Sequence, residues 1–285
     1  MNKPSNIKEA LDFGLEELSS ANIKDSKLSV EILLSEILGL NKQQLYSRLD
    51  EGLNPAQQDV FVDYISRRSN NEPLQYIFGY AYFRGLKINV REGVLIPRPE
   101  TEMLVELVLQ EANIDNPKVL DLCCGSGCIA CSFANEIDGS SIVGVDVSTS
   151  AVECAMDNIK QLNLSERVKV VQADIMQELP IDNDFDVILC NPPYVPTDVY
   201  NNLDQEVLDF EPKLALEAGA EGLDFLPSVI NIAKNKLKSG GLLALELHED
   251  HILQAADLAK KEGLVNVKTL KDLANKNRFL FASVI

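Results

Sequence analysis

Histidine is scarce in these 285 residues, basic residues are few, and no apolar run approaches the roughly 20 residues that a membrane-crossing helix requires. The two histidines, His248 and His251, fall together in "HEDH". This is not the HExxH metalloprotease pattern, and a solvated strand-to-helix junction is the expected setting. Lysine and arginine number 26 against 44 aspartates and glutamates, for a net charge of −18. A protein that grips a duplex through its phosphates needs a basic face, so stable nucleic-acid binding is not expected. A basic protein partner remains compatible with this balance. The opening stretch, "MNKPSNIKEALDFGLEEL", lacks the charged stub and apolar core of a secretory signal, which points to the cytoplasm and to no membrane partner.

Six cysteines are present, four of them between residues 123 and 131. Without a secretory signal these read as reduced thiols rather than a disulfide framework. Zinc is the rival reading for the pair Cys128 and Cys131. No second CxxC or His pair follows at ligand spacing, and cysteine also serves as a small apolar residue on a helix face, so no metal site is expected.

Residues 1–72 read as helical. "IKEALDFGLEELSS" and "SKLSVEILLSEILGL" space their apolar residues at three and four. "NPAQQDVFVDYISRR" starts with a cap at Asn54 and a proline at the first helical position, and it places Val60, Phe61, Tyr64 and Ile65 on one face. Residues 73–99, with "LQYIFGYAYFRGLKINV", read as a hairpin that either links two domains or extends the second sheet.

From residue 100 to 285 strands alternate with helices, with strands expected at 117–122, 141–146, 167–172, 184–190 and 241–247. This alternation predicts a parallel, doubly wound α/β sheet with right-handed crossovers. "VNVKTL" and "RFLFASVI" are separated by a stretch too short for a crossover helix, so these two strands are expected to pair antiparallel.

"VLDLCCGSGCIA" places a glycine turn between the first of these strands and a helix. Gly125 and Gly127 permit close approach of backbone to a ligand, flanked by Cys123, Cys124 and Ser126, and the helix start offers free N–H groups. Asp146 ends the next strand, where a carboxylate can accept from both hydroxyls of a ribose. The pattern also satisfies the dinucleotide fingerprint, so a nicotinamide dehydrogenase competes. Asp121 lies in the strand just before the loop, where it would repel a pyrophosphate and attract an ammonium group. S-adenosylmethionine, an adenosine with an α-amino group and no phosphate, fits these charges. Asp174 and Ile175, after the third strand, either meet the adenine or are a solvated cap and its neighbour.

The strand "FDVILC" runs into Asn191-Pro192-Pro193-Tyr194. As the fourth strand of the doubly wound sheet it is expected beside the first, across the switch point where ligands bind. The prolines have no N–H and hold the backbone extended, so Asn191 and its neighbours present acceptors without competing donors. Two acceptors suit a planar –NH₂ whose lone pair must be freed for attack, and Tyr194 offers a ring face to stack on it. A rigid turn or a polyproline ligand is the bland alternative.

"LIPRPETE" (95–102), "DLCCGSGCIA" (121–130), "NPPY" (191–194), "EPKLALEAGAEGLDF" (211–225) and "NRFLFA" (277–282), in this order, resemble the HemK family of release-factor glutamine N5-methyltransferases. The resemblance spans residues 73–285, and the N-terminal segment is similar in length and kind. It implies a small helical bundle joined by a β-hairpin to a Rossmann-like class I methyltransferase domain. It also implies methyl transfer from S-adenosylmethionine, leaving S-adenosylhomocysteine, to the glutamine of the Gly-Gly-Gln loop in class 1 peptide chain release factors. Asn191 and Pro192 would accept from the target amide, while Asp146 and the glycine loop hold the cofactor. One departure stands out: the family's loop often carries a further glycine where this chain has Cys123. The helical bundle would dock the release factor, the polar stretch 196–220 would be a lid or docking loop, and Arg98 either walls the site or forms an ion pair. No general base stands out, which suits a product nitrogen acidic enough to lose its proton to water.

Overall fold

The computed structural model describes residues 3–111 and 115–285. Met1 and Asn2, the start of the polar leading stretch, lie outside the described residues. The chain divides into two compact units between Gly79 and Tyr80.

The first unit holds α1 (Ile7–Ser20), α2 (Ser26–Leu38), α3 (Lys42–Ser47), α4 (Pro55–Ser69) and α5 (Leu74–Phe78). The caps are local chemistry. Asn54 accepts from Gln57 N–H and Gln57 returns the bond to Asn54 N–H, a reciprocal box that satisfies two otherwise unpaired donors before Pro55. A core of Ile7, Ala10, Leu18, Val30, Leu33, Leu34, Phe61 and Ile65 closes the bundle. α1 and α2 meet at Gly14, where a Cβ would lie 2.9 Å from the Val30 methyls. Of the face expected on α4, Phe61 and Ile65 are buried, Tyr64 is half-buried and Val60 is exposed. Arg68 takes the next turn of the buried stripe, its guanidinium donating to Glu72 C=O.

The second unit begins with β1 (Tyr80–Phe83) and β2 (Leu86–Asn89), an antiparallel hairpin. Its turn residues Arg84 and Gly85 both have positive φ, the backbone twist that two-residue hairpins favour. The segment 73–99 is therefore composite: α5 belongs to the first unit and the hairpin to the second. The hairpin forms its own two-stranded sheet instead of extending the large one. Phe83 and Ile88 are buried against Leu104, Val108 and Phe133.

Then come α6 (Pro99–Glu111), β3 (Lys118–Leu122), α7 (Cys128–Glu136), β4 (Ser141–Asp146), α8 (Thr149–Gln161), β5 (Val168–Gln172) and β6 (Phe185–Cys190). Two short helices, α9 (Thr197–Tyr200) and α10 (Gln205–Phe210), interrupt the polar stretch before α11 (Leu226–Lys236), β7 (Leu237–Glu246), α12 (Ile252–Lys261), β8 (Val265–Lys271) and β9 (Asn277–Ser283). The sheet order is β5-β4-β3-β6-β7-β9-β8, parallel except for β9, which pairs antiparallel with both β7 and β8. β7 begins four residues before the expected start, taking in "LKSG" with a register shift against β6. Central strands are apolar throughout because both faces are covered. Leu120, Ile188 and Leu245 pack under α11 and α12, while Val119, Val187 and Leu189 pack under α6 and α7. Chain order reverses at β3, whose neighbours are β4 and β6, so a crevice opens at the carboxyl ends of β3 and β6.

Candidate active site

In register, Leu122 of β3 lies beside Cys190 of β6, so the glycine loop and Asn191 emerge side by side. The loop turns through positive φ at Cys123, Gly125 and Gly127. At Gly127 a Cβ would come within 3.0 Å of the Ala155 Cβ, so α8 packs directly on the loop. Two further ties hold it. Cys124 N–H donates to Val145 C=O at 3.0 Å, and the buried Asn158 amide donates to Ser126 C=O at 2.9 Å and exchanges hydrogen bonds with Asn89 of the hairpin. The hairpin thus steadies the loop from behind. Cys123 is a non-glycine residue held at φ 58°, the reason a glycine suits this position.

Asp146 closes the loop from β4, with Gly125 N–H donating to one oxygen at 2.8 Å and Ser148 N–H to the other at 2.9 Å. Each oxygen keeps a lone pair for a hydroxyl. Burial nonetheless raises its pKa above the usual carboxylate range. Asp121 is fully buried on the α7 side of β3, where one oxygen accepts from Ala130 N–H at 3.1 Å and the other has no partner. Burial, with a smaller push from Asp146, raises this carboxyl to about 8. An uncompensated acid beneath the loop is what a cationic ligand group would relieve.

A cleft of about 710 Å³, part of it open to solvent, is lined by Cys123, Gly125, Asp146, Asp174, Ile175, Asn191 and Pro193, together with Leu95, Leu214 and Phe225. The structure therefore gathers seven of the expected residues on one wall. Asp121, Cys124, Ser126, Gly127, Pro192 and Tyr194 sit behind or beside that wall, outside the lining. Asp174 caps its own turn, accepting from Met176 N–H at 2.9 Å, and Ile175 is buried.

Pro192 and Pro193 are buried and Asn191 is half-buried. The Asn191 side-chain amide donates through Nδ2 to Thr101 Oγ1 at 3.0 Å. Tyr194 is half-buried beside His248, ring centroids 6.4 Å apart, and burial raises its phenol to about 12. Arg98 forms an ion pair with the buried Glu211 at 2.5 Å, and Glu211 also accepts from Ile96 N–H. "LIPRPETE" is thereby tied to the start of "EPKLAL". Cys128 and Cys131 sit in the first turn of α7, buried, with thiol pKa values pushed up by desolvation, Cys131 to about 12. Among the described residues no group of three or more His, Cys, Asp or Glu is placed to hold a metal. The sequence reading missed Thr101 and Glu246. Thr101 stood inside the quoted "LIPRPETE", and Glu246 was the one acid ending the otherwise apolar "LLALE".

Residues 99–209 match the methyltransferase small domain family, and residues 9–79 match the PrmC N-terminal domain family. A release factor glutamine methyltransferase of Clostridium acetobutylicum is 35% identical over 97% of this chain and 98% of the relative. The chain belongs to the release factor glutamine methyltransferase family. Its counterpart in Clostridium botulinum is 33% identical over 97% of this chain and 98% of the relative. Among solved structures, the Thermus thermophilus 16S rRNA N2 G1207 methyltransferase in complex with AdoMet and guanosine superposes with a TM-score of 0.51 at 20% identity, covering 72% of this chain and 50% of that one. That likeness carries the fold, a class I methyltransferase sheet. The chain is an enzyme of methyl transfer, and S-adenosylmethionine is the donor its family uses. Among the described residues, no helix is long and apolar enough to cross a membrane.

Proposed function

We propose that this enzyme methylates the side-chain amide nitrogen of the glutamine in the Gly-Gly-Gln loop of class 1 peptide chain release factors, in the cytoplasm. The observation that carries the reading is the Asn191 amide, its Nδ2 occupied by Thr101 at the carboxyl end of β6, which leaves Oδ1 as the end able to accept. The cofactor supplies a methyl group on a positively charged sulfur. Gly125 and Gly127 would let the loop approach it, Asp146 would accept from its ribose hydroxyls, Asp174 and Ile175 would border its adenine, and Asp121 would favour its ammonium from beneath the loop.

Asn191 Oδ1 and the Pro192 carbonyl accept the two hydrogens of the target amide, with no N–H from Pro192 or Pro193 to compete. Held so, the nitrogen can give up its conjugation as it attacks. With the cofactor bound, the nitrogen lone pair would take up the methyl group as the C–S pair returns to sulfur, and the extra proton would leave to water. Acceptors that bind best once the nitrogen has pyramidalised act on the transition state. The first unit serves as the docking module for the release factor, and residues 196–220 cover or guide the bound loop.

Incubation with labelled S-adenosylmethionine and purified release factor tests the reading. Label should enter the wild-type factor and not one with the Gly-Gly-Gln glutamine changed to alanine. Equal labelling of both, or label entering nucleic acid instead, would remove the assignment.

A further inference from the structure

An asparagine amide can bind a substrate –NH₂ only by its oxygen end, yet its two ends are nearly the same size and shape. Packing alone does not choose between them; a partner of fixed hydrogen-bonding sense must. In this enzyme that partner is Thr101, in the first turn of α6, 90 residues from Asn191 in sequence and 3.0 Å from its Nδ2. A hydroxyl can accept or donate toward the amide, so its own sense needs to be set as well. The buried carboxylate beside the Thr101 side chain is Glu246, the last residue of β7. Both residues are buried, Thr101 at 3% exposure and Glu246 at 1%, so water does not compete between them.

We propose that Glu246 and Thr101 are positioning residues that set the sense of the Asn191 amide, so that its oxygen and not its amino group meets the target nitrogen. The inference rests on the glutamine-methylation reading and names the groups that make that acceptor work. An ionised carboxylate can only accept. It takes the single hydroxyl proton of Thr101, whose oxygen can then only accept in turn, and Asn191 must offer Nδ2. The reversed amide would set N–H against N–H at the substrate. Glu246 Oε2 is buried without a hydrogen-bond partner. A carboxylate this buried and half-satisfied is costly, and it persists where it has a task.

Protonation reverses the sense. A neutral Glu246 can donate to Thr101, whose hydroxyl is then free to donate toward Asn191 and favour the wrong end of the amide. Burial raises Glu246 to about 7; Arg278 of β9 and Arg98 before α6 oppose the rise, and Glu100 of α6 adds to it. Tyr194, the remaining titratable neighbour, stays neutral through this range, its phenol raised to about 12. The orienting form is the ionised one, so kcat should rise with pH through the neutral range and level off above it.

The test compares Thr101→Val, Thr101→Ser and Glu246→Gln with wild type on purified release factor. The readouts are kcat, both KM values, the dissociation constant for S-adenosylmethionine, and circular dichroism. Thr101→Val keeps the shape and loses the hydroxyl. Its kcat should fall at least about tenfold with cofactor affinity within about twofold of wild type, as expected for a contact felt in the transition state. Thr101→Ser should stay within about threefold of wild type, and Glu246→Gln should lose the acid limb of the kcat profile. A Thr101→Val enzyme at wild-type kcat, equal losses in the Ser and Val variants, or an unchanged acid limb in Glu246→Gln would each overturn the relay. If Thr101→Val fails to fold, the Glu246→Gln profile decides. Wild-type enzyme that leaves the release-factor glutamine unmethylated removes the underlying reading, whereas an active wild type with unaffected variants removes the relay alone.

Discussion

At the scale of single residues, the site separates groups felt during reaction from groups felt during binding. Asn191→Ala should lower kcat by at least about two orders of magnitude while leaving cofactor affinity nearly unchanged, because its oxygen is matched to the reacting nitrogen. Asp146→Ala should do the reverse and first weaken cofactor binding, measurable by calorimetry. Asp121 is a stability group as well. Its folded pKa of about 8 lies above the ordinary carboxylate value, so the protonated form is favoured by folding and stability is lost as pH rises toward 8. Thermal unfolding of cofactor-free Asp121→Asn should therefore gain on wild type steadily between pH 4 and 8 (about the two pKa values) and hold its lead above. A lead that stays flat with pH would show that Asp121 is not buried as an acid. Cys123 gives a backbone test: with φ at 58°, Cys123→Gly should be more stable than Cys123→Ala by about 1 kcal/mol in chemical unfolding.

At the scale of elements, much of the architecture was legible because its signals are local. The strand ending in Asp146 was expected and found at 141–146, since an apolar run bounded by turns needs no distant partner to declare itself. The antiparallel finish was legible because a short connector permits nothing else. The start of β7 was not, because "KSGG" has no strand propensity and is carried into the sheet by its neighbours. Val60 failed for a related reason: periodicity defines a face, while the neighbouring helices decide how wide a stripe is covered. The Arg98–Glu211 pair was one of two readings of Arg98 in the sequence, and only the fold brings its partner from 113 residues away. Glu211→Ala leaves Arg98 and Ile96 N–H without that carboxylate, and should cost about 2 kcal/mol. Limited proteolysis should then cut faster between residues 196 and 220. Unchanged cleavage would mean the pair does not anchor that stretch.

At the scale of the whole molecule, a net charge of −18 sets a field that a basic partner feels before contact. Raising ionic strength from about 0.01 M to about 0.15 M shortens the screening length from about 30 Å to about 8 Å. The kcat/KM for release factor should fall over this range with kcat unchanged, since steering affects encounter and not chemistry. A salt-independent kcat/KM would mean that docking is not electrostatic.

The sequence by itself carried the local signals of the chemistry: an Asn-Pro-Pro-Tyr whose prolines offer no N–H after a buried strand, a glycine loop with an acid after the next strand, and an acidic chain without a long apolar run. These are properties of residue type and short spacing, and they survive without coordinates. Tertiary structure decided which groups share a wall and which stand behind it. Asp121 lies on the α7 side of β3, beneath the loop, because side chains alternate along β3 and Leu120 and Leu122 take the other face. It also decided that Asn191, just past the end of β6, meets Thr101 in the first turn of α6, with Glu246 at the end of the parallel neighbour β7 close by. Hydrogen bonds act over about 3 Å, and no pattern along the chain records which distant residues folding will bring that close.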